Sequence, residues 1–193
     1  MRLQLVTAAT QSPLTISALR HHVRLDEDDT THDERLIDAS TNAVAMVEDY
    51  LQRPLLSSTW ALRLNGFPYC EIELPLAPVQ SVSSVTYVDS AGVTQSWATS
   101  SWNLDNFDRT GRAFIRPVYG QVFPTARDDY NVVTVNFVAG WSDPGAIPKA
   151  IIRALLLIVG HFFENTEAVS PVDLREIPMG AKHLLTPYLN SRF

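Results

Sequence analysis

Pro148-Lys149-Ala150-Ile151-Ile152-Arg153-Ala154-Leu155-Leu156-Leu157-Ile158-Val159-Gly160-His161-Phe162-Phe163-Glu164-Asn165 is the stretch that decides the fold. Pro148 suits the first position of a helix, where its missing N–H costs nothing. The ten apolar residues that follow, from Ile151 to Phe163, fall on more than one face of that helix. A helix of this kind must be covered from several sides. The covers nearest in sequence are amphipathic helices before Pro54, with copies from a neighbouring subunit as the alternative.

Those N-terminal helices are legible. Thr15 is a plausible N-cap for a short helix that lines up Ile16, Leu19, His22 and Val23. The acidic run Asp26-Glu27-Asp28-Asp29 stops it. Thr31-His32-Asp33-Glu34 reads as a capping box opening a second helix. Its stripe is Leu36, Ala39 or Ser40, Ala43, Val47, Tyr50 and Leu51, and Arg53-Pro54 ends it.

From Leu55 the hydrophobic period changes to two. Trp60, Leu62 and Leu64 alternate with Thr59, Ala61 and Arg63, and Asn65-Gly66 supplies a turn. Ile72 and Leu74 follow before Pro75 and Pro78 break the run. Val85–Val88 leads through Asp89-Ser90-Ala91-Gly92 to Val93 as a hairpin. Ala113-Phe114-Ile115 is a short strand. Val133, Val135 and Phe137 alternate with Val132, Thr134, Asn136 and Val138 in the clearest strand of all. A last short helix is expected from Ala181 to Leu189. The fold class expected is therefore α+β. Residues 1–54 and 148–193 form a helical core, and residues 55–147 are an inserted antiparallel β-rich subdomain.

Composition bounds the function. The chain has 193 residues, of which 46% are hydrophobic, enough for a core of one domain with a subdomain. A formal charge of −6 argues against gripping nucleic acid through counterion release. The charge is uneven: residues 1–54 hold nine carboxylates against five arginines, whereas 148–193 hold five basic groups against four acidic ones. That near-neutral tail could dock on an acidic partner or be an ordinary solvated surface. Thirteen of the fifteen basic residues are Arg, which fits protein interfaces and equally a GC-rich genome. The single Cys70 allows no internal disulfide and fits a reducing compartment. Leu3–Val6 is too short for a signal peptide, and no apolar run approaches the ~20 residues that span a bilayer. A soluble intracellular product is expected.

Catalytic templates find no purchase. Cys70 with His161 or His183 as base lacks any surrounding motif. His21, His22 and His32 beside the acidic run match no zinc spacing, and that run lacks the order of an EF-hand loop. His161 and Glu164 could pair across one helical turn, as a polar contact more readily than an acid–base couple. There is no phosphate-cradling glycine loop, nucleophile elbow or H-E-x-x-H helix. No enzyme, cofactor or metal is expected. One binding alternative is a β-sandwich module that stacks a sugar or protein on Trp97, Trp102 and Trp141, provided all three indoles are exposed together.

Several segments, in order, carry a resemblance. They run from Thr15-Ile16-Ser17-Ala18-Leu19-Arg20-His21-His22-Val23-Arg24-Leu25 to Val47-Glu48-Asp49-Tyr50-Leu51-Gln52-Arg53-Pro54-Leu55. Thr59-Trp60 then leads to Asn65-Gly66-Phe67-Pro68, followed by Ile72-Glu73-Leu74-Pro75 and Pro78-Val79-Gln80-Ser81-Val82. Next come Val85-Thr86-Tyr87-Val88-Asp89, Val135-Asn136-Phe137-Val138-Ala139-Gly140-Trp141 and Ile147-Pro148. His161-Phe162-Phe163-Glu164-Asn165, Glu167-Ala168-Val169 and Leu184-Leu185-Thr186-Pro187-Tyr188 complete the set. Together they resemble the head–tail connector, or adaptor, proteins of long-tailed bacteriophages and related gene-transfer particles. The departures are a longer loop from Arg116 to Tyr130 and the segment Pro171–Met179.

The resemblance implies a ring, typically of about twelve copies, below the portal vertex of a filled head. The ring extends the DNA channel and links head to tail in the virion neck, after assembly in the host cytoplasm. Its implied partners are the portal protein, neighbouring adaptor subunits and a stopper or tail-side neck protein. Genomic DNA passes through without specific binding, and no membrane is involved. Acidic walls would repel phosphate, and Asp26–Asp29 are candidates for such a wall. For portal contact the C-terminal segment is expected to contribute Arg175, Lys182, Tyr188, Arg192 and Phe193, with Trp141 as a further interface residue. A tail-completion or stopper protein elsewhere in the neck is the nearest rival.

Overall fold

The computed structural model describes residues 1–106, 113–164 and 179–190. These divide into two compact units. One comprises Met1–Thr10 and Leu56–Ser142; the other comprises Gln11–Leu55 and the described residues from Asp143 onward. The fold is α+β, with two antiparallel sheets and, among the described residues, four α-helices.

The sheet unit contains β1 (Arg2–Thr7), β2 (Ser58–Leu64), β3 (Ile72–Leu74), β4 (Val79–Val88), β5 (Thr94–Ser96), β6 (Trp102–Asn106), β7 (Ala113–Pro117) and β8 (Val133–Ala139). A five-stranded sheet runs β1-β2-β8-β4-β5, and a three-stranded sheet runs β3-β7-β6. Strand β8 shows the expected alternation: Val133, Val135, Phe137 and Ala139 are buried, and Thr134, Asn136 and Val138 are half-buried. Their inward side chains join Leu62 and Val85 from the same sheet and Ile72, Leu74, Ala113 and Ile115 from the other in one core cluster. The hairpin β4–β5 forms as read, with the Asp89 N–H donating to the Val93 carbonyl at 2.9 Å. The Asp89 carboxylate accepts the Ala91 and Val93 N–H groups inside the turn. Hydrogen bonds from Gln95 and from these amides hold it below the ordinary carboxylate range.

Strand β1 corrects the sequence reading, which placed all of residues 1–54 with the helices. Met1–Thr10 belongs to the sheet unit, because Arg2–Leu5 pairs residue by residue with Arg63–Trp60. All six residues of β1 are exposed.

The helical unit contains α1 (Ile16–His22), α2 (Asp33–Leu51), α3 (Lys149–Glu164) and α4 (Met179–Leu185). Thr15 caps α1 as expected, its hydroxyl accepting from the Ala18 N–H. The capping box at Thr31 does not form. His32 occupies the N-cap without a side-chain bond, and α2 begins at Asp33. The competing interactions explain this: the Asp29 carboxylate takes the Thr31 N–H at 2.9 Å, and Arg20 binds the Asp33 carboxylate. Asp33 and Glu34 then sit in the first turn, where the helix dipole favours negative charge. The far end stops as read. Gln52 is left-handed at φ 53°, and the Leu55 N–H donates to the Glu48 carboxylate at 2.7 Å. Burial raises Glu48, and the Leu55 N–H pulls the other way.

Helix α3 is the centre of this unit. Ile151, Ala154, Leu155, Ile158 and Val159 are buried, with α1, α2 and α4 packed around them. The multi-sided apolar pattern is thus covered within one chain by helices from both ends of the sequence. The last helix is shorter than expected: α4 ends at Leu185 and a 3-10 turn spans Thr186–Tyr188, because Pro187 cannot donate to a continuing α-helical ladder.

One packing contact is expected to make this unit respond to acid. His22 lies against Gly160 of α3, where an added Cβ would stand 3.3 Å from its Nε2. Burial, then the positive field of Arg153 and that of His21, push the imidazole down, while its hydrogen bond to the Leu156 carbonyl raises it. A histidine lowered in the fold contributes stability that is complete above its unfolded value of about 6.5 and is lost as pH falls through its folded value. Glu48, raised by burial, has the opposite sign from about 4.5 upward. Urea unfolding of the parent and of His22→Asn between pH 7.5 and 5 should therefore diverge, the parent losing more on acidification. Parallel curves would remove His22 as the cause.

Candidate interaction surfaces

The C-terminal element offers polar side chains on a fixed base. Ala181 and Leu185 are buried, whereas Lys182 and His183 are exposed and Tyr188 is half-buried. The chain beyond the 3-10 turn is tied to the end of α2: the Asn190 N–H donates to the Leu51 carbonyl at 3.1 Å, and its side-chain amide to Gln52 O at 3.3 Å. Up to Asn190 this segment is an anchored part of the helical unit. Arg175, Arg192 and Phe193, expected beside Lys182 and Tyr188, lie outside the described residues.

Trp141 is held mainly through its backbone. Its carbonyl accepts from the Ser57 N–H at 3.0 Å and from the Ser57 hydroxyl at 3.2 Å, while its side chain is half-buried. Trp141 and Leu56 form an isolated parallel bridge where the chain enters and leaves the sheet unit.

The three-indole stacking platform is overturned. Trp97 is 6% exposed and Trp102 is 8% exposed, and both belong to the core. Trp97 packs against Phe67 at 5.7 Å, Phe123 at 5.2 Å and Trp102 at 6.4 Å between ring centroids. Phe67 and Phe123 stack at 5.1 Å. Large rings stabilise the fold by leaving water and packing on one another, and this cluster does so as part of the core.

The acidic loop before α2 folds around an arginine. Arg20 donates to both oxygens of Asp33 and to the Glu27 carbonyl, and the Ser17 hydroxyl reaches Glu27. The hydrogen bond to Asp33 raises Arg20, and the same bond lowers Asp33; hydrogen bonds from Thr31 lower Asp29. Among the described residues, no three His, Cys, Asp or Glu side chains converge as a metal would require. Asp26 and Asp28 keep carboxylates with no hydrogen bond or ion pair among the described residues.

Cys70 is exposed in its loop. The helical unit has an open groove of about 590 Å³ lined by residues including His32, Arg35, Asp38, Asn42 and Phe162. Arg35 spans its wall, its guanidinium over the Phe163 ring at 4.6 Å and donating to the Phe163 carbonyl. That guanidinium is occupied in holding the end of α3. No helix among the described residues is long and apolar enough to cross a membrane.

One surface was missed from the sequence. Strand β1 is the edge of the five-stranded sheet, and register decides what it presents. Leu3 lies opposite Leu62 and Leu5 opposite Trp60, so both continue the inner apolar face. They are nevertheless 36% and 46% exposed, and neither joins the core cluster between the sheets. On the other face Arg2 stands directly across from Arg63. Neither guanidinium has an ion-pair partner among the described residues. A signal existed in the alternation of Leu3 and Leu5 with Arg2 and Gln4, but only strand pairing gives it meaning.

No protein-family model matches the chain. No curated protein matches it either. Solved structures do. The chain is similar to one in the virion of a native gene transfer agent particle, with a TM-score of 0.80 and 26% identity, covering 100% of this chain and 97% of that one. A chain of the neck of the empty particle, computed with C6 symmetry, gives 0.79 and 24% over the same shares. A chain of the neck of the native particle, computed with C12 symmetry, gives 0.76 and 24%, again over 100% and 97%. The resemblance to head–tail connector proteins is therefore matched in the fold of the whole chain, both units included.

Proposed function

We propose that this chain is a structural neck protein of a virus-like particle, an adaptor that forms a ring below the portal, extends the DNA channel and links head to tail. The observation that carries this is full-length similarity to a virion chain at 26% identity and a TM-score of 0.80. Neck neighbours in particles computed with C6 and C12 symmetry support assembly into a ring. In this reading the helical unit is the body of each subunit, and residues 56–142 of the sheet unit are inserted into it, joined there by Met1–Thr10. Lys182 and Tyr188 present the fixed part of a portal-facing surface, Arg175, Arg192 and Phe193 complete it, and Trp141 contributes elsewhere.

The role is architectural, not enzymatic. A net charge of −6 suits a wall past which DNA slides without specific binding, since like charges repel. Assembly takes place in the host cytoplasm and the product resides in the virion.

The test is negative-stain imaging and mass photometry of the purified chain mixed with the portal protein of the same genome. The expected result is a portal that gains one annular layer of this chain. A chain that ignores the portal but binds tail components would overturn the adaptor role in favour of a stopper or tail-completion protein.

A further inference from the structure

From β1 and its neighbour β2 we infer that this sheet edge is the subunit–subunit contact of the ring, receiving the acidic loop Asp26–Asp29 of the next copy. The inference rests on the ring reading above and names the surfaces through which the ring closes.

Three independent features of β1 point to an occupant. Its outer backbone edge is unpaired, since β2 occupies only one side. Soluble proteins usually protect such an edge with Pro, Lys, a covering loop or a very short strand. Here Arg2–Thr7 has neither Pro nor Lys, every residue is exposed, and the register with β2 is regular from Arg2 to Leu5, breaking only between Leu5 and Thr7. Its inner face carries Leu3 and Leu5, both exposed and outside the core cluster. Its other face opposes Arg2 to Arg63, and directly opposed like charges destabilise an antiparallel pair. An incoming carboxylate pair would neutralise that repulsion and gain charge-assisted hydrogen bonds.

The chain itself carries the complement. A closed ring uses heterologous contacts, so each copy must present two unlike surfaces that fit each other. The loop at 26–29 is exposed at Asp26, Glu27 and Asp28, and Arg20 clamps it from within through Asp33 and the Glu27 carbonyl. That clamp leaves the Asp26 and Asp28 carboxylates without a hydrogen bond or ion pair among the described residues, though Asp28 lies in the field of Arg20: two carboxylates for two guanidiniums. The pre-ordered loop loses little conformational freedom on docking. Arg favours this role because its planar fork meets a carboxylate bidentately. In this arrangement Asp26 and Asp28 lie between subunits and do not line the channel.

The test uses particles assembled from the same genome. In a Cys70→Ser background, Gln4→Cys together with Asp28→Cys should give oxidant-dependent cross-linked multimers of the chain. In solution, Arg2→Glu with Arg63→Glu should weaken self-association at least about tenfold. Adding Asp26→Arg and Asp28→Arg to that variant should restore it. Circular dichroism of each variant checks that the fold persists. Particles containing the chain but yielding no cross-link would overturn this contact while leaving the neck reading intact. A reversed arginine pair that assembles like the parent would overturn it equally, as would a fourfold variant that stays dispersed. A chain absent from particles would defeat the neck reading and this contact with it.

Discussion

Gly140→Ala is expected to destabilise the sheet unit by about 3 kcal/mol or more, a large share of the roughly 5–15 kcal/mol that holds an ordinary domain folded. Gly140 sits at φ 107°, a backbone conformation that L side chains rarely adopt. An added Cβ would stand 2.3 Å from the Leu56 carbonyl oxygen and 2.5 Å from its carbon, and backbone cannot swing aside as a side-chain tip can. The same residue is bonded on both sides: its N–H donates to Pro78 O at 2.9 Å, and its carbonyl accepts from the Gln80 amide at 2.8 Å. Moving the loop to relieve the clash would break these bonds and the Ser57–Trp141 pair beside them. Gly120→Ala is the control. Its φ is 80° with nothing within 4 Å of the new Cβ, so only the backbone penalty of about 1–2 kcal/mol applies. Urea denaturation measures both, and equal losses would show that the close approach to Leu56 relaxes freely.

Phe137→Ala carries the other large effect, a loss of about 3–5 kcal/mol. Phe137 is fully buried on β8, between β2 and β4, where it faces Trp60 and Val82 across the two ladders. Deleting its ring leaves a cavity that neighbours on two strands cannot fill without abandoning their register, so transfer and cavity terms add. Tyr119→Ala removes a ring of comparable size from a fully exposed position and should change stability by less than about 0.5 kcal/mol. If the two substitutions cost the same, the assignment of the core to this face of the sheet is wrong.

Much of the architecture was legible because its signals are local. The Thr15 cap, the stripe from Leu36 to Leu51, the Asp89–Gly92 turn and the alternation at Val133–Phe137 each depend on side chains within a few residues. The capping box at Thr31 misled for a related reason. Local spacing favoured it, but Arg20, thirteen residues away from Asp33, took over the helix start. The interaction surfaces were less legible. Lys182 and Tyr188 could be named from charge and position, but the anchoring of Asn190 on Leu51 is a contact across most of the sequence. For Trp97 and Trp102 the sequence left a stacking platform open as a lesser alternative to core, and their packing with each other, Phe67 and Phe123 decided for core.

By itself the sequence determined the α+β class, the helical character of α1, α2 and α3, and the need for α3 to be covered on several sides. Periodicity and capping act through neighbouring residues, so they can be read along the chain. Only the tertiary structure decided that β1 leaves the helices and joins β2, which turns Leu3 and Leu5 into an apolar overhang and sets Arg2 against Arg63. Strand pairing joins residues about sixty apart in sequence through backbone groups common to every residue. No local pattern announces such a partner, and which side chains then share a face is a matter of register.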